Sequence, residues 1–328
     1  MLETTLGIKN KKVFVAALDW GLGHATRCVP IIRTLLSSGN TVILGTTSLT
    51  EKIFKQEFPE LERVELPEYN ISYSSVLPLW LKLGSQYPKI LKAIKEEHDL
   101  LEAYILKNKI DIIISDNRYG LYSKNVQSII VCHQLNLKTP FFEKWSNSTH
   151  VELLKKFDEV WVPDHEEKDK KLAGELSNNV FRLNCKYIGP LSRLEKKEAE
   201  IKYDHLFLLS GPEPTQTDLL KSVIDKLKSY KGKAVIVSSS PICDDLQENI
   251  VLIKLPNANE LSYIIAESKI IVCRSGYSSL MDMYALGKKE LILIPTPGQT
   301  EQEYLAEYWS KKFKSVHLPE SKLGNYTF

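Results

Sequence analysis

Ile270-Ile-Val-Cys-Arg-Ser-Gly-Tyr-Ser-Ser-Leu-Met-Asp282 leads into Leu291-Ile-Leu-Ile-Pro295 and then Gly298-Gln-Thr-Glu-Gln-Glu303. The stretch reads as a buried strand, a Ser-Gly turn, a helix carrying a carboxylate, a second strand and a polar loop. A helix opening on a Ser-Gly turn has backbone N–H groups without intrahelical partners, and its dipole adds positive potential there. That junction suits a phosphate, and an acid two turns on suits the ribose of a nucleotide. The pattern implies a parallel α/β sheet that binds its ligand at the carboxyl ends of the strands.

The rest of the chain repeats the theme. In the second half His205-Leu-Phe-Leu-Leu209, Ala234-Val-Ile-Val237 and Val251-Leu-Ile253 are further predicted strands, with helices over 217–229, 259–266 and 278–286. In the first half the short apolar runs are Lys12-Val-Phe-Val-Ala-Ala-Leu18, Thr41–Gly45, Val64-Glu-Leu66, Asp111-Ile-Ile-Ile-Ser115, Ser128-Ile-Ile-Val131 and Glu159-Val-Trp-Val162. Helices are expected between them over 25–38, 49–58 and 90–107. Strand and helix in alternation imply right-handed crossovers and parallel sheets. Tyr187-Ile-Gly-Pro190 and the charged run Arg193–Lys202 read as a linker, dividing the chain into 1–190 and 191–328.

Gly21-Leu-Gly-His-Ala-Thr-Arg27 follows the first strand and opens the first helix. The glycines allow a tight turn and close approach of a ligand. The helix start lowers the pKa of His24, and a neutral imidazole there is a candidate general base. A histidine that only caps its helix is the plainer reading. A dinucleotide fingerprint is disfavoured, because Thr26 replaces the third glycine and Thr46-Thr47 stand where a ribose acid belongs. Ser115-Asp-Asn-Arg118 and Cys132-His-Gln134 also end strands, so Asp116, Asn117 and His133 are candidates to line the same site. Asp116 is a second candidate base and His133 a second candidate histidine. Strand-end polar groups also often serve only their own loops.

These motifs resemble the MurG-like family of two-domain GT-B glycosyltransferases, which includes the peptidoglycan N-acetylglucosaminyltransferase. The likeness is detailed over the second half and the first strand–loop–helix. It implies an α/β GT-B fold: two doubly wound Rossmann-like domains with parallel sheets facing a cleft. The 191–328 domain would bind a nucleotide-diphospho-sugar, most simply a UDP-sugar. The family's turn corresponds to Arg274-Ser275-Gly276 on the diphosphate, with Ser279 behind it and Asp282 on the ribose. The family's sugar-reading loop corresponds to Gln299, Thr300, Gln302 and Glu303. Two positions depart from the family: Asp282 is shorter than the family's Glu, and Gln302-Glu303 replaces adjacent glutamines. Ser210 and Gly211, ending the first strand of this domain, would add donor contacts, or form only a rigid turn, since Pro212 and Pro214 donate no N–H. The 1–190 domain would bind the acceptor through Gly23, Thr26, Arg27, Asp116, Asn117 and His133, with His24 taking the proton from its hydroxyl. Transfer would invert the anomeric configuration. Arg274 would neutralise the leaving diphosphate or serve as a structural ion-pair partner.

No D-x-D and no metal-ligand spacing of His and Cys occurs, so no metal and no cofactor beyond the UDP-sugar co-substrate is expected. A net charge of +2 gives no sign of a nucleic-acid partner. Cys28, Cys132, Cys185, Cys243 and Cys273 are scattered and form no C-x-x-C pair, which fits a reducing cytoplasm. Val76-Leu-Pro-Leu-Trp-Leu-Lys-Leu83, followed by Lys89, Lys92 and Lys95, suits peripheral contact at the inner face of the membrane and a lipid-linked acceptor, or simply a core segment. A nucleotide-sugar hydrolase or epimerase on the same fold, and an inert nucleotide-sugar-binding regulatory protein, are the alternatives.

Overall fold

The structure is a computed structural model and describes residues 2–71, 79–139, 142–240 and 246–328. Along its first part run α1 (Leu2–Leu6), β1 (Lys12–Ala17), α2 (Leu22–Ser37), β2 (Thr41–Thr46), α3 (Ser48–Glu57), β3 (Glu62–Glu65), α4 (Leu79–Asn108), β4 (Ile112–Asp116), β5 (Gln127–Val131), α5 (Glu143–Leu154), β6 (Glu159–Val162) and β7 (Cys185–Tyr187). The strands pair in parallel in the order β3-β2-β1-β4-β5-β6-β7. Val13, Phe14, Val15, Ile113, Ile114 and Ile130 have no exposed surface. Continuous apolar strands of this kind belong in a sheet covered on both faces. After α2, Gly39 takes φ +76 and the N–H groups of Gly39 and Asn40 return to Leu36 and Leu35, which stops the helix.

The second part carries β8 (Tyr203–Leu208), α6 (Thr215–Leu227), β9 (Ala234–Ser238), β10 (Ile250–Lys254), α7 (Ala258–Ala266), β11 (Ser268–Cys273), α8 (Tyr277–Ala285), β12 (Leu291–Leu293), α9 (Thr300–Phe313) and β13 (Val316–His317). Its sheet is also parallel, in the order β10-β9-β8-β11-β12-β13. Phe207, Leu219, Leu220, Val223, Ile236 and Val272 make its fully buried core. The chain divides into two compact units between Arg193 and Leu194, the first holding residues up to Ile71 and from Leu83, the second running to Phe328.

Both sheets reverse strand order at their first strand, between β1 and β4 and between β8 and β11. Those are the switch points at which doubly wound sheets open a crevice at the strands' carboxyl ends. The predicted helix over 90–107 is longer than expected, starting at Leu79 and running through Pro88. Proline reads as a break because it removes a helical N–H, yet here the helix continues past it. α5 escapes the apolar pattern because its buried face includes Asn147 and His150 beside Val151 and Leu154. β7 and β13 are three and two residues long, too short for a period. Residues 76–78 of the apolar segment near Trp80 lie outside the described residues, as does Cys243. Among the described residues no helix is long and apolar enough to cross a membrane.

Candidate active site

His24 and Asp116 meet at the switch point of the first sheet. Asp116 is the last residue of β4, and His24 stands in the first turn of α2, whose N-cap is Gly21. His24 Nδ1 lies 2.7 Å from Asp116 Oδ1. Asp116 has no exposed surface, and Arg27, one helical turn after His24, grips both its oxygens through Nε and Nη2. Arg27 Nη1 reaches His133 Nδ1 at 3.1 Å. With the Asn117 amide turned so that its nitrogen donates to Val131 O, its oxygen accepts from Arg27 at 3.2 Å.

The electrostatics follow from that packing. Burial alone would raise Asp116, but Arg27 and His24 bring it down to about 2. Burial, and then the Arg27 guanidinium, push His24 below its ordinary 6.5 against the pull of Asp116. Arg27 Nη2 also lies 2.9 Å from Nδ1. The ionised carboxylate at 2.7 Å can only accept, so Nδ1 is assigned as its donor and the neutral ring carries its lone pair on Nε2. The His24 side chain is 20% exposed, so it reaches solvent, while Asp116, Arg27 and His133 are buried.

Several sequence expectations change here. Asp116 is a poor base, being deeply buried, held at low pKa and fully engaged. Arg27 is 2% exposed and pairs with Asp116, so it orients the dyad and is too buried to be a handle for a ligand. His133 is likewise buried behind Arg27. Thr26 Oγ1 donates to Gly23 O at 3.1 Å, bracing the glycine turn. Sequence reading did not find Glu97. It lies buried on α4 and accepts from Arg118 Nε, Gly120 N and Tyr69 OH at 2.6–2.7 Å. A Cβ on Gly120 would sit 2.2 Å from Ile94 O, so only glycine lets α4 pack against the turn that follows Asp116. No local spacing marks these partners, because they come from distant parts of the chain.

The second unit places the Ser-Gly turn at its own switch point. Gly276 caps α8 with φ −67, and a Cβ added there would meet nothing within 4 Å. The space beside Gly276, at the N-terminus of α8, is therefore open. Asp282 lies half-buried further along the same helix, and Ser279 lies between them, also half-buried. Ser275 turns inward and donates its hydroxyl to Gln302 O at 2.7 Å. Its side chain holds the turn against α9, so an anion there would meet backbone amides instead of this hydroxyl.

Arg274 resolves to the structural reading. It is 2% exposed and pairs with Glu320 at 2.5 Å through Nη1. Nη1 also reaches Ile294 O and Pro295 O, and Nη2 reaches Thr215 O, at 3.3–3.4 Å. It thus ties the loops after β8, β11 and β12 together, through a partner distant in the chain that no local pattern marks. At the end of β8, Ser210 is half-buried and Gly211 exposed with φ +130, and α6 starts directly after the Pro212–Pro214 segment. Gln216 and Thr217 bind the hydroxyls of Ser238, Ser239 and Ser240 at 2.9–3.1 Å. That hydroxyl-rich edge was not anticipated. Gln299 caps α9, Thr300 begins it, and Gln302 and Glu303 fold back onto the loop before it. Among the described residues no group of three His, Cys, Asp or Glu side chains could hold a metal ion.

Residues 221–326 match the glycosyltransferase family 28 C-terminal domain. An uncharacterized glycosyltransferase of Methanosarcina acetivorans is 22% identical over 89% of this chain and 81% of its own length. A Caldanaerobacter subterraneus UDP-N-acetylglucosamine–N-acetylmuramyl-(pentapeptide) pyrophosphoryl-undecaprenol N-acetylglucosamine transferase is 34% identical over 92 residues, 25% of each chain. The crystal structure of the calicheamicin glycosyltransferase CalG4 superposes with a TM-score of 0.65, covering 95% of this chain and 87% of that one at 13% identity. The two Rossmann-like units and these likenesses define a glycosyltransferase of the GT-B fold. Within that class the likeness to a named family is confined to residues 221–326, which resemble the glycosyltransferase family 28 C-terminal domain.

Proposed function

We propose that this glycosyltransferase moves a sugar from a UDP-sugar to an acceptor hydroxyl with inversion and without a metal ion. The observation that carries the reading is the His24–Asp116 pair, which engages Nδ1 of a partly exposed imidazole and leaves Nε2 to take a proton. Nε2 takes the proton as the acceptor oxygen forms its bond to the anomeric carbon. The bond from that carbon to the diphosphate oxygen breaks on the opposite face, and the diphosphate leaves. Asp116 stabilises the imidazolium without accepting the proton itself. The α8 amides at Gly276 meet the departing diphosphate, and Asp282 accepts from the ribose hydroxyls. Gly23 and Asn117 flank the acceptor.

The acceptor is proposed to be lipid-linked, by likeness to the undecaprenyl-pyrophosphoryl substrate in the name of the Caldanaerobacter relative. The enzyme would then work in the cytoplasm, at the inner face of the membrane. The test is release of UDP from a panel of UDP-sugars, with lipid extracts, with soluble extracts and without acceptor, each with and without EDTA. Acceptor-dependent release that survives EDTA supports the reading. Rapid release with free sugar and no acceptor means hydrolysis, and loss with EDTA removes the metal-free step.

A further inference from the structure

His205 stands in an apolar layer near the amino end of β8, away from the turns at the carboxyl ends of the second sheet. It is 6% exposed and lies edge-on to Tyr230 and Phe328, with ring centroids 5.5 Å apart in each pair. Nδ1 meets the Tyr230 hydroxyl at 2.6 Å. The phenol is the stronger acid of the two and the imidazole nitrogen the stronger base, so the hydroxyl is assigned as donor. Burial lowers the His205 pKa below 6.5, with Asp204 opposing and Lys269 adding, so the ring is neutral near pH 7. Its proton then sits on Nε2, a donor with no partner among the described residues.

The tyrosine is held by its own turn. Asn249 Nδ2 donates to Tyr230 O at 3.1 Å and to Gly232 O at 2.6 Å. A Cβ at Gly232 would collide with the Tyr230 hydroxyl, so glycine leaves that hydroxyl its place beside His205. On the neighbouring strand Ile270 pairs in register with His205. These residues line a cavity of about 620 Å³, a size usual for small-molecule sites. Lys226, Lys231 and Lys269 line it too, against one carboxylate, that of Asp204. Three ammonium groups and one carboxylate leave a net charge of +2. Asp204 Oδ2 is already taken by Lys233 N at 2.9 Å. Lys226 Nζ donates to Gly324 O at 2.9 Å, and Lys231 and Lys269 make no ion pair among the described residues.

We propose that this cavity is a second ligand site of the unit and binds a phosphate monoester that carries an apolar or aromatic body. A monoester near pH 7 carries about −1.5 to −2, which matches the charge of the lining. Its oxygens accept from His205 Nε2–H and from the lysine ammonium groups as charge-assisted hydrogen bonds. Its body lies against Tyr230, Ile270 and Phe328. A carboxylate brings less charge, and inorganic phosphate brings no body. The cavity lies at the opposite end of the sheet from the Ser275-Gly276 turn and does not depend on what that turn binds.

The test is calorimetric titration of the intact protein with phenyl phosphate, inorganic phosphate and phenylacetate, with UDP as competitor. Phenyl phosphate should bind about tenfold more tightly than either of the other two. The double variant Lys231→Gln/Lys269→Gln and, separately, His205→Phe should each weaken it about tenfold, the scale of a hydrogen bond to a charged group. UDP should not displace it. Absence of phenyl phosphate binding overturns the proposal, and so does equal binding of inorganic phosphate or phenylacetate. Displacement by UDP also overturns it, by placing the phosphate in the Ser275-Gly276 turn. Lys231 and Lys269 are exposed, so their double variant keeps the fold even where His205→Phe does not. Wild-type affinity in that double variant is the third result that overturns the site.

Discussion

Asp116 holds His24 and Arg27 at once, its Oδ1 2.7 Å from His24 Nδ1 and both oxygens bonded by the guanidinium. The arginine keeps the carboxylate ionised, and the ionised carboxylate keeps the Nδ1 proton in place. The basic lone pair is thereby left on Nε2.

Removing the base should separate chemistry from donor binding. His24→Ala is expected to lower turnover by about 10²–10⁴-fold, the usual worth of a positioned base. UDP affinity by calorimetry should not change. Unaltered turnover would sink the assignment.

The dyad also sets the pH response. Burial and Arg27 depress the His24 pKa, and the base works deprotonated. The kcat/KM profile should stay level through neutrality and fall only below pH 6.5, with that limb absent from the residual rate of His24→Ala. Asp116 falls from 3.8 to about 2 on folding, so its stabilising contribution is complete above 3.8 and is lost as pH falls through about 2. By linkage that contribution is on the order of 2 kcal/mol. The stability gap between wild type and Asp116→Asn, measured by denaturation, should narrow over that acid window. A gap constant with pH contradicts the pairing.

Gly276 offers a cleaner probe of the donor turn. Its φ is ordinary and a Cβ meets open space. Gly276→Ala should therefore melt like the wild type while binding UDP more weakly, because the methyl occupies the space kept for the diphosphate. Asp282→Ala should also weaken UDP. Wild-type UDP affinity in both variants would move the nucleotide elsewhere.

Glu320→Ala should act through Arg274, which it leaves buried without its counter-charge. The expected cost is about 1.5–3 kcal/mol, as for a hydrogen bond to a charged group. UDP affinity should fall with it, since the freed guanidinium no longer anchors the loops at Thr215 and Pro295. Chemical denaturation and UDP titration on the same preparation check both.

The strands and the glycine turns were legible because each is a local pattern. Apolar runs such as 12–18 and 270–272 are strands for lack of any alternative burial, and glycine marks the turns that follow them. The helix expected over 90–107 falls short of the observed one, since α4 starts at Leu79 and runs through Pro88, a residue that local rules treat as a stop.

Site chemistry divides in the same way. Amino-acid order alone determined that His24, Asp116, Arg274 and Gln302 lie at the carboxyl ends of strands or in the loops and helix starts that follow them, where ligands of doubly wound sheets bind. Only the tertiary structure decided their tasks. Asp116 became a partner instead of a base, Arg274 a tie to Glu320, and Gln302 a brace for the loop before α9. Those outcomes depend on burial and on contacts between residues far apart in the chain, and neither leaves a periodic trace in sequence.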